Sequence, residues 1–266
     1  MDILTFSLWF LDSMKNVKIE TLYKEVARLL SDKKNCVVLT GAGVSAESGI
    51  PTFRTQGGIW EKYDPMIYAS IEVFRKDPSK YWTLRREFLD DYDKYQPNSA
   101  HFALAELEQM GIVRQIITQN IDGLHKKAGS QQVIEIHGSL RETHCLSCGK
   151  EYIAPHIPAG IPPYCSCGGI LKPNTVLFGE NLPVDAFTKA RALSASCKIM
   201  LLAGTSAIVQ PAASLPYLAK ENGAKIIEVN IEKAFSGADY FITEKAGTAL
   251  PQIVTEIKNV FVKRSE

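Results

Sequence analysis

Four short apolar runs constrain the fold of this chain most strongly, because each has the pattern of a strand that is buried on both faces. They lack the alternation of apolar and polar residues that a half-exposed strand shows. Amphipathic helical patterns lie beside them, at residues 19–30, 100–110, 186–195, 212–221 and 253–262. Alternating strands and helices predict an α/β fold with a doubly wound, Rossmann-like parallel sheet. The four runs are Cys36–Thr40, Val113–Thr118, Ile199–Ala203 and Lys225–Val229.

Two stretches interrupt this rhythm. Residues 50–95 contain no clear buried strand and are rich in Tyr and Trp, which indicates loops and helices, whereas residues 141–172 combine four cysteines with Gly and Pro. Both therefore read as insertions into the α/β domain. We divide the chain into an N-terminal extension (1–17), a Rossmann-like domain in three parts (18–50, 96–140 and 173–266), a loop and helical module (51–95) and a small zinc-binding module (141–172).

The composition is that of an ordinary globular protein, with 45% hydrophobic and 22% charged residues among 266. The 30 basic and 29 acidic residues nearly cancel, so the balance indicates neither a nucleic acid nor an anionic membrane as a partner. The apolar run from Ile3 to Leu11 is shorter than the ~20 residues of a membrane span, and it lacks the flanks of a signal peptide. We interpret residues 1–13 as an extension ahead of Met14, or alternatively as an apolar arm that docks on a partner.

The four clustered cysteines follow the pattern CxxC-x16-CxC, at Cys145, Cys148, Cys165 and Cys167. Four thiolates complete a tetrahedral Zn²⁺ shell and leave no open position for water, so the pattern predicts one structural zinc. Unpaired buried cysteines are the alternative, and His144 or His156 could replace a thiol as ligand. The two remaining cysteines, Cys36 and Cys197, fit small core residues. Metal-bound thiolates indicate a reducing compartment, and we expect a cytoplasmic protein.

A glycine-rich turn follows the first strand directly. Residues 41–46, GAGVSA, fit the pattern G-x-G-x-x-G/A, in which glycines permit the tight turn and let the backbone approach a pyrophosphate. Taken alone, the motif fits an ordinary strand-to-helix turn equally well. A dehydrogenase fits poorly, because Gly49 and Pro51 would interrupt the helix that it needs here, and the next sheet strand comes only at residue 113.

The segment from Gly41 to Arg54, GAGVSAESGIPTFR, strongly resembles the first signature of the sirtuin family of NAD-dependent protein deacylases. Further signatures follow in the family's order, and the resemblance covers roughly residues 20–260. It implies that NAD is consumed: the acyl-lysine carbonyl oxygen attacks the ribose carbon as nicotinamide leaves, and the acyl group ends on ADP-ribose. The further signatures are TQNIDGLH at 118–125, HG at 137–138, the cysteine pairs, FGE at 178–180 and GTS at 204–206.

The resemblance implies three catalytic residues. His137 would be the general base that activates a ribose hydroxyl, a role that suits a neutral imidazole near pH 7. Asn120 would position the nicotinamide ribose, and Asp122 would help to hold the nicotinamide amide. The alternatives are a structural histidine at 137 and an Asn/Asp loop at 120–122 that only makes turns.

The resemblance also implies a cofactor site. Phe53 would lie against the nicotinamide ribose and Arg54 would support the loop or the phosphates, although Phe53 could simply pack in the core. Ser206 would contact phosphate, while Asn230 and Glu232 would contact the adenosine ribose, with a solvated charge as the alternative for Glu232. The remaining cofactor-binding residues are Gly41, Ala42, Gly43, Ser45, Gln119, Asn120, Ile121, Asp122, Gly204 and Thr205.

The implied partners are acylated-lysine proteins that bind as extended peptides. Strand addition gives affinity through backbone hydrogen bonds with little demand on sequence. One wall would be formed by Val176, Leu177, Phe178 and Gly179, and the other by residues 207–209 with Val209. Either segment could instead be an edge strand or a core loop.

The acyl group is expected to be acetyl. Family members that act on acidic acyl groups such as succinyl carry a Tyr-x-x-Arg pair, whereas Trp82 stands three residues before Arg85 here. Arg85 and Arg86 would then be solvated charges on a helix. The function that follows is an NAD-dependent protein-lysine deacetylase. Alternatives are a desuccinylase or longer-chain deacylase, a protein ADP-ribosyltransferase, a catalytically silent NAD- or peptide-binding module and a dehydrogenase.

Overall fold

The computed structural model describes the backbone of residues 3–52, 59–92 and 94–265 and the side chains of residues 18–52, 60–86 and 94–264. Nine strands lie in this part of the chain: β1 Cys36–Thr40, β2 Val113–Thr118, β3 Val133–Glu135, β4 Glu142–Cys145, β5 Glu151–Ile153, β6 Leu171–Pro173, β7 Ile199–Ala203, β8 Lys225–Asn230 and β9 Tyr240–Thr243. The α-helices are α1 Ile3–Lys33, α2 Ile59–Lys62, α3 Pro65–Tyr68, α4 Ile71–Lys76, α5 Pro78–Tyr92, α6 Ser99–Gln109, α7 Leu124–Lys127, α8 Val184–Ser196, α9 Leu215–Glu221 and α10 Ala246–Ser265.

Six strands form one parallel sheet in the order β3-β2-β1-β7-β8-β9. This confirms the predicted doubly wound sheet, since the chain runs outward from β1 in one direction and then outward from β7 in the other. In such sheets the strand order reverses at the centre, and a crevice opens there at the carboxyl ends of the strands. The crevice between β1 and β7 is therefore where the fold favours a ligand.

Successive side chains of the central strands pack into two separate cores. Val38 of β1 faces the core that α1, α6 and α10 cover, whereas Val37 and Leu39 face the core that α8 and α9 cover. All three side chains are fully buried. Each removes its apolar surface from water, which stabilises the fold by roughly 1.5–3 kcal/mol per residue. Burial on both faces explains why these strands lack apolar–polar alternation.

The two inserted modules pack against each other. Strands β5, β4 and β6 form a small antiparallel sheet in that order, and helices α2 to α5 lie in the other insertion. A third core joins them, with Phe74 and Trp82 of the helical module beside Cys145 and Leu171 of the cysteine module. The indole N–H of Trp82 donates to the Leu171 carbonyl at 3.0 Å. The two modules therefore meet through a shared apolar contact.

The structure extends or divides several predicted elements. Helix α1 begins at Ile3, and the division between residues 17 and 18 falls inside it, because residues 3–33 contain neither Gly nor Pro. It ends where Lys34 and Asn35 adopt positive φ angles of 47° and 51°. The predicted helix at 212–221 divides into a 3₁₀ turn at 212–214 and α9. Edge strand β9, which contains the short apolar run at residues 240–242, was not among the predicted strands. None of the helices in the described part of the chain has the length and apolarity needed to cross a bilayer.

Candidate active site

The glycine turn that follows β1 lies directly against the turn that follows β7. The backbone N–H of Gly43 donates to the Gly204 carbonyl at 2.8 Å. A Cβ atom on Gly41 or Gly43 would come within 2.8–2.9 Å of the backbone of Gly204 or Thr205, so neither position has room for a side chain. Two 3₁₀ turns, Ala42–Val44 and Ala46–Ser48, replace the long helix of a dehydrogenase. The motif glycines thus permit close contact at the centre of the sheet.

Three predicted site residues form one buried hydrogen-bonded cluster beside this turn. The amide of Asn120 donates to Ser45 Oγ at 3.0 Å and to the Gly41 carbonyl at 3.1 Å. Ser45 Oγ donates to Asp122 Oδ2 at 2.7 Å, and Leu124 N–H donates to Asp122 Oδ1 at 2.9 Å. Burial raises the pKa of the Asp122 carboxyl, while these hydrogen bonds favour its charged form. The cluster fixes an amide and a carboxyl group at the crevice.

His101 extends this cluster, and sequence reasoning missed it. Its Nδ1 accepts from the backbone N–H of Asn98, the N-cap residue of α6, so the ring proton lies on Nε2. Nε2 faces Ser45 Oγ at 3.4 Å. The imidazole therefore donates to Ser45, which donates to Asp122. The spacing Asn98-x-x-His101 is a capping-box signal, but nothing in the sequence connects it to residue 45.

A second buried histidine lies against the first. The rings of His101 and His125 are 4.8 Å apart between centroids. His125 Nε2 lies 3.0 Å from Thr40 Oγ1, Thr40 donates to Thr118 Oγ1, and Thr118 Oγ1 accepts the backbone N–H of Asn120. Burial lowers the pKa of His101 to about 4 and that of His125 to about 3. Both rings are neutral at physiological pH and act as fixed hydrogen-bonding groups.

His137 lies two residues beyond the end of β3. Its Nδ1 is 3.0 Å from the Gln119 carbonyl, which can only accept, so Nδ1 carries the proton and Nε2 is bare. Burial lowers the pKa of His137, against the opposing effect of this hydrogen bond. The following Gly138 has a φ of +77°, and a Cβ there would lie 1.7 Å from the Asn174 carbonyl oxygen. The His137 carbonyl accepts Val176 N–H at 2.9 Å.

Further hydrogen bonds tie together the turns that follow β2, β7 and β8. Gln119 Nε2 donates to Thr205 Oγ1 at 2.7 Å, and Asn230 Nδ2 donates to the Thr205 carbonyl at 2.8 Å. Buried Glu228, which sequence reasoning also missed, accepts the backbone N–H groups of residues 234 and 235. The carboxyl edge of the sheet is thereby held as one hydrogen-bonded unit.

The remaining predicted cofactor contacts differ in their placement. Ile121 lies half-buried between Asn120 and Asp122, and Ser206 and Glu232 lie exposed after β7 and β8. The predicted residues Phe53 and Arg54 fall outside the described residues. The cofactor contacts of Phe53, Arg54, Ser206 and Glu232 therefore remain predictions.

The predicted peptide wall at Val176–Gly179 forms a short parallel bridge with the helical module. Phe178 N–H donates to the Ala69 carbonyl at 2.9 Å, and the Phe178 carbonyl accepts Ile71 N–H at 3.0 Å. Phe178 is exposed. Val209 lies in a different turn, where its carbonyl accepts Ala213 N–H. One edge of the wall is thus occupied by the protein itself.

The structure brings the sulfur atoms of the four clustered cysteines together. All four lie within 4.8 Å of one another. The Sγ atoms of Cys145 and Cys167 are 3.5 Å apart, and those of Cys148 and Cys165 are 3.6 Å apart. A tetrahedral zinc with Zn–S bonds of about 2.3 Å requires sulfur separations of about 3.8 Å. The hydroxyl of Tyr152 donates to Cys165 Sγ at 3.1 Å, so the donor set fits Zn²⁺.

The other candidate ligands lie outside this group. His144 Nδ1 is 2.6 Å from Asn174 Oδ1, which holds its ring against the loop after β6. His156 is exposed. Cys36 and Cys197 are free thiols buried in the two main cores. Thiol ligands alone account for the predicted metal site.

Arg85 is not the solvated helix charge expected from the sequence, although Arg86 is exposed. The Arg85 side chain is only 1% exposed, and burial lowers its pKa to about 10. Its Nη2 donates to the Leu140 carbonyl, and its guanidinium lies 4.6 Å from the ring of Trp82. Its Nε and Nη1 are buried and have no hydrogen-bond partner within the described residues. Helix periodicity could not reveal this, because tertiary packing of the inserted modules buries the residue.

Comparison with known proteins identifies close relatives. Residues 41–211 match the model of the Sir2 family. NAD-dependent protein deacylase 2 of Pyrobaculum aerophilum is 46% identical over 236 residues, covering 88% of this chain and 95% of that protein. A Sir2 homolog in complex with NAD aligns with a TM-score of 0.83 and 43% identity, over 89% of this chain and 94% of the other. A Sir2 variant with a deacetylated p53 peptide and 3'-O-acetyl ADP ribose aligns with a TM-score of 0.83 and 36% identity, over 88% and 97%.

Removal of one zinc ligand should unfold the cysteine module. We expect Cys145→Ala to lose bound zinc and to lower the melting temperature by more than about 5 °C, because structural zinc contributes directly to folding. Elemental analysis and thermal melts with and without a strong chelator measure both effects. Cys197→Ala is the matched control and should keep its zinc. Equal melting temperatures with and without chelator would contradict the structural role.

The buried imidazole of His101 should make stability depend on pH. Its folded pKa of about 4 lies below the ordinary 6.5, so the unfolded chain binds a proton that the folded chain rejects. The free energy of unfolding should therefore fall as pH drops from about 6.5 toward 4, by up to about 3 kcal/mol from this group. Urea titrations across this range should show a shallower dependence for His101→Gln, whereas exposed His156→Gln should match the wild type. An identical slope in His101→Gln would refute the assignment.

Proposed function

The chain belongs to the Sir2 family, the sirtuins, and we propose that it is a protein-lysine deacetylase that transfers the acetyl group to ADP-ribose and releases nicotinamide from NAD. The observation that carries this proposal is the setting of His137. Its Nδ1 donates a proton to the Gln119 carbonyl, and its Nε2 carries no proton. The ring follows β3 at the same carboxyl edge of the sheet where hydrogen bonds fix Asn120 and Asp122. A neutral imidazole whose Nδ1 already donates a hydrogen bond can accept a proton on Nε2.

The crevice fits the diphosphate of NAD. The backbone N–H groups of Ala42, Thr205 and Ser206 donate to no acceptor within the described residues. They line the two touching turns, where Gly41 and Gly43 leave no side chain in the way. Converging backbone N–H groups at such turns bind phosphate oxygens. These residues would hold the diphosphate.

The protein's own contribution to the reaction follows from the fixed groups. When bound, NAD supplies the ribose carbon that receives the acyl oxygen as nicotinamide departs. His137 Nε2 accepts the proton of a ribose hydroxyl, because its lowered pKa keeps it unprotonated at neutral pH. Asn120 and Asp122, held by Ser45, orient the nicotinamide half through amide and carboxyl groups. Preorganised groups of this kind need no rearrangement during the reaction.

The substrate is a protein segment bound as an extended strand. Within the wall at Val176–Gly179, the Val176 carbonyl and the Gly179 N–H have no partner among the described residues. They supply an acceptor and a donor for a peptide backbone, with little demand on its sequence. Val209 and its neighbours form the opposite wall. The solved Sir2 variant with a deacetylated p53 peptide supports a peptide substrate.

Buried Arg85 favours acidic acyl groups as a second candidate substrate. Its Nη2 bonds the Leu140 carbonyl three residues after His137, so the guanidinium lies near the catalytic loop. Its Nε and Nη1 carry three N–H groups that have no partner among the described residues, and buried N–H groups are costly unless a ligand satisfies them. A carboxylate matches such a fork in charge and geometry. Arg85 would therefore bind the carboxylate of a succinyl group, whereas an acetyl group has no carboxylate for it to bind.

We infer from the cysteine module that the enzyme works in a reducing compartment. Four zinc-binding thiolates stay reduced in the cytoplasm, and Cys36 and Cys197 are free thiols in the structure. The near balance of 30 basic and 29 acidic residues gives no reason to add a nucleic acid or a membrane to the acylated-protein partners.

Loss of the general base should abolish turnover without unfolding the protein. We expect His137→Ala to reduce kcat by at least about 100-fold, because general base catalysis contributes about 10²–10⁴-fold. Mass spectrometry of an acetyl-lysine peptide and a nicotinamide assay measure turnover, and a thermal melt checks the fold. Exposed His156→Ala is the control and should keep full activity. Normal turnover by His137→Ala would contradict the proposed role.

The role of Arg85 can be separated from the main activity by changing the acyl group. We expect Arg85→Met to lose turnover of succinyl-lysine while it keeps turnover of acetyl-lysine, because only the succinyl carboxylate needs the cation. Competing succinyl- and acetyl-lysine peptides in one mass-spectrometric assay measure the ratio, with exposed Arg86→Met as control. A wild-type enzyme that leaves succinyl-lysine intact would exclude the second candidate.

A further inference from the structure

Lys172 of β6 is an ammonium group whose hydrogen-bonding capacity is fully used inside the protein. Its Nζ lies 3.0 Å from Glu180 Oε2, 3.2 Å from the Pro173 carbonyl and 3.3 Å from the Thr175 carbonyl. The side chain is 11% exposed and that of Glu180 is 22% exposed. Three donors thus meet three acceptors, one at the end of β6 and two in the loop that follows it. A shielded pair with this many hydrogen bonds holds its geometry far better than a surface ion pair.

The loop that Lys172 holds is the peptide wall. Glu180 Oε2 also accepts the backbone N–H of Leu177 at 2.8 Å, and Glu180 N–H donates to the Leu177 carbonyl at 3.0 Å. These bonds close a tight turn at the end of the wall. They use the backbone polar groups of Leu177, whereas the Gly179 N–H has no partner in the described part of the chain. The ion pair therefore determines which backbone groups a peptide can meet.

The same loop also reaches the catalytic histidine. Val176 N–H donates to the His137 carbonyl at 2.9 Å, and the Tyr81 hydroxyl is 2.6 Å from Thr175 Oγ1. Lys172 belongs to the cysteine module, whereas Glu180 leads back into the Rossmann-like domain. A single ion pair thus fixes the segment that connects the two units and passes beside the general base.

We propose that Lys172, through Glu180, is a positioning residue for the peptide substrate: it holds the wall so that the Val176 carbonyl and the Gly179 N–H face the bound strand. This inference rests on the proposed function, because it assigns the wall to an acyl-lysine peptide. The diphosphate-binding turns lie after β1 and β7 and have no hydrogen bond or ion pair to Lys172 in the described part of the chain. Peptide binding should therefore depend on Lys172, and NAD binding should not.

The test measures the two ligands separately in the zinc-loaded, full-length protein. Fluorescence anisotropy with a labelled acetyl-lysine peptide gives the peptide Kd, and calorimetry gives the NAD Kd. We expect Lys172→Met to weaken peptide binding at least about tenfold, since small displacements of a positioning segment have effects of this size or larger. NAD affinity, zinc content and melting temperature should change little. Steady-state kinetics should show the same split, with KM for peptide raised more than kcat is lowered.

Three further variants keep the inference falsifiable. Lys172→Arg retains the charge and should restore most of the peptide affinity, and Glu180→Gln should weaken binding in the same direction as Lys172→Met. Lys258→Met is the matched control, because it removes an exposed ion pair at 2.6 Å between Lys258 of α10 and Glu106 of α6. Peptide affinity unchanged in Lys172→Met, or equal losses for peptide and NAD, would overturn the inference. If the wild type binds peptide but releases no nicotinamide, only the deacetylase proposal is contradicted. If the wild type does not bind peptide at all, both the deacetylase proposal and the role of Lys172 are contradicted.

Discussion

The hydrogen bond between His137 Nδ1 and the Gln119 carbonyl determines what the crevice can do. Gln119 also donates its backbone N–H to Thr40 at 3.0 Å and its side-chain amide to Thr205 Oγ1 at 2.7 Å. One residue thereby connects the carboxyl ends of β1, β2 and β7 with the histidine that follows β3. Because the carboxyl ends of parallel strands meet at one edge of the sheet, groups far apart in sequence converge there. The bond also decides which ring nitrogen is free to accept a proton.

The two halves of the crevice are held by different physical means. On the proposed cofactor side, neutral imidazole, amide and hydroxyl groups form a buried network that fixes Ser45 and Asp122. On the proposed peptide side, the wall connects the cysteine module to the Rossmann-like domain, and the shielded Lys172–Glu180 ion pair fixes its conformation. The first network is sensitive to pH through its histidines, whereas the second depends on metal and charge. Acidic pH should therefore disturb the first half, and loss of zinc or of the ion pair should disturb the second.

Local patterns predicted the parallel sheet and the cysteine cluster, because each follows from short-range spacing. The family resemblance, and not spacing, assigned Ser45, Asn120 and Asp122 to one site, and their hydrogen bonds span more than 70 residues of sequence. Local patterns did not predict His101 and His125, since the sequence cannot show that a capping histidine of α6 reaches a turn 56 residues earlier. Arg85 was expected to be solvated, and tertiary packing of the two insertions buries it. The contacts of Phe53 and Arg54, and the roles of individual site residues, remain predictions. What the sequence lacked in each case was the long-range contact that sets burial.

The protonation state of His137 is the most direct test of the central claim. Nitrogen-15 chemical shifts of the histidine rings, assigned with His137→Gln and followed from pH 8 to pH 5, report which nitrogen carries the proton and at what pH the ring becomes charged. The structure predicts a proton on Nδ1, a bare Nε2 and a pKa below the ordinary 6.5. A proton on Nε2, or a pKa above 6.5, would show that the Gln119 carbonyl does not hold the ring as a base and would contradict the account.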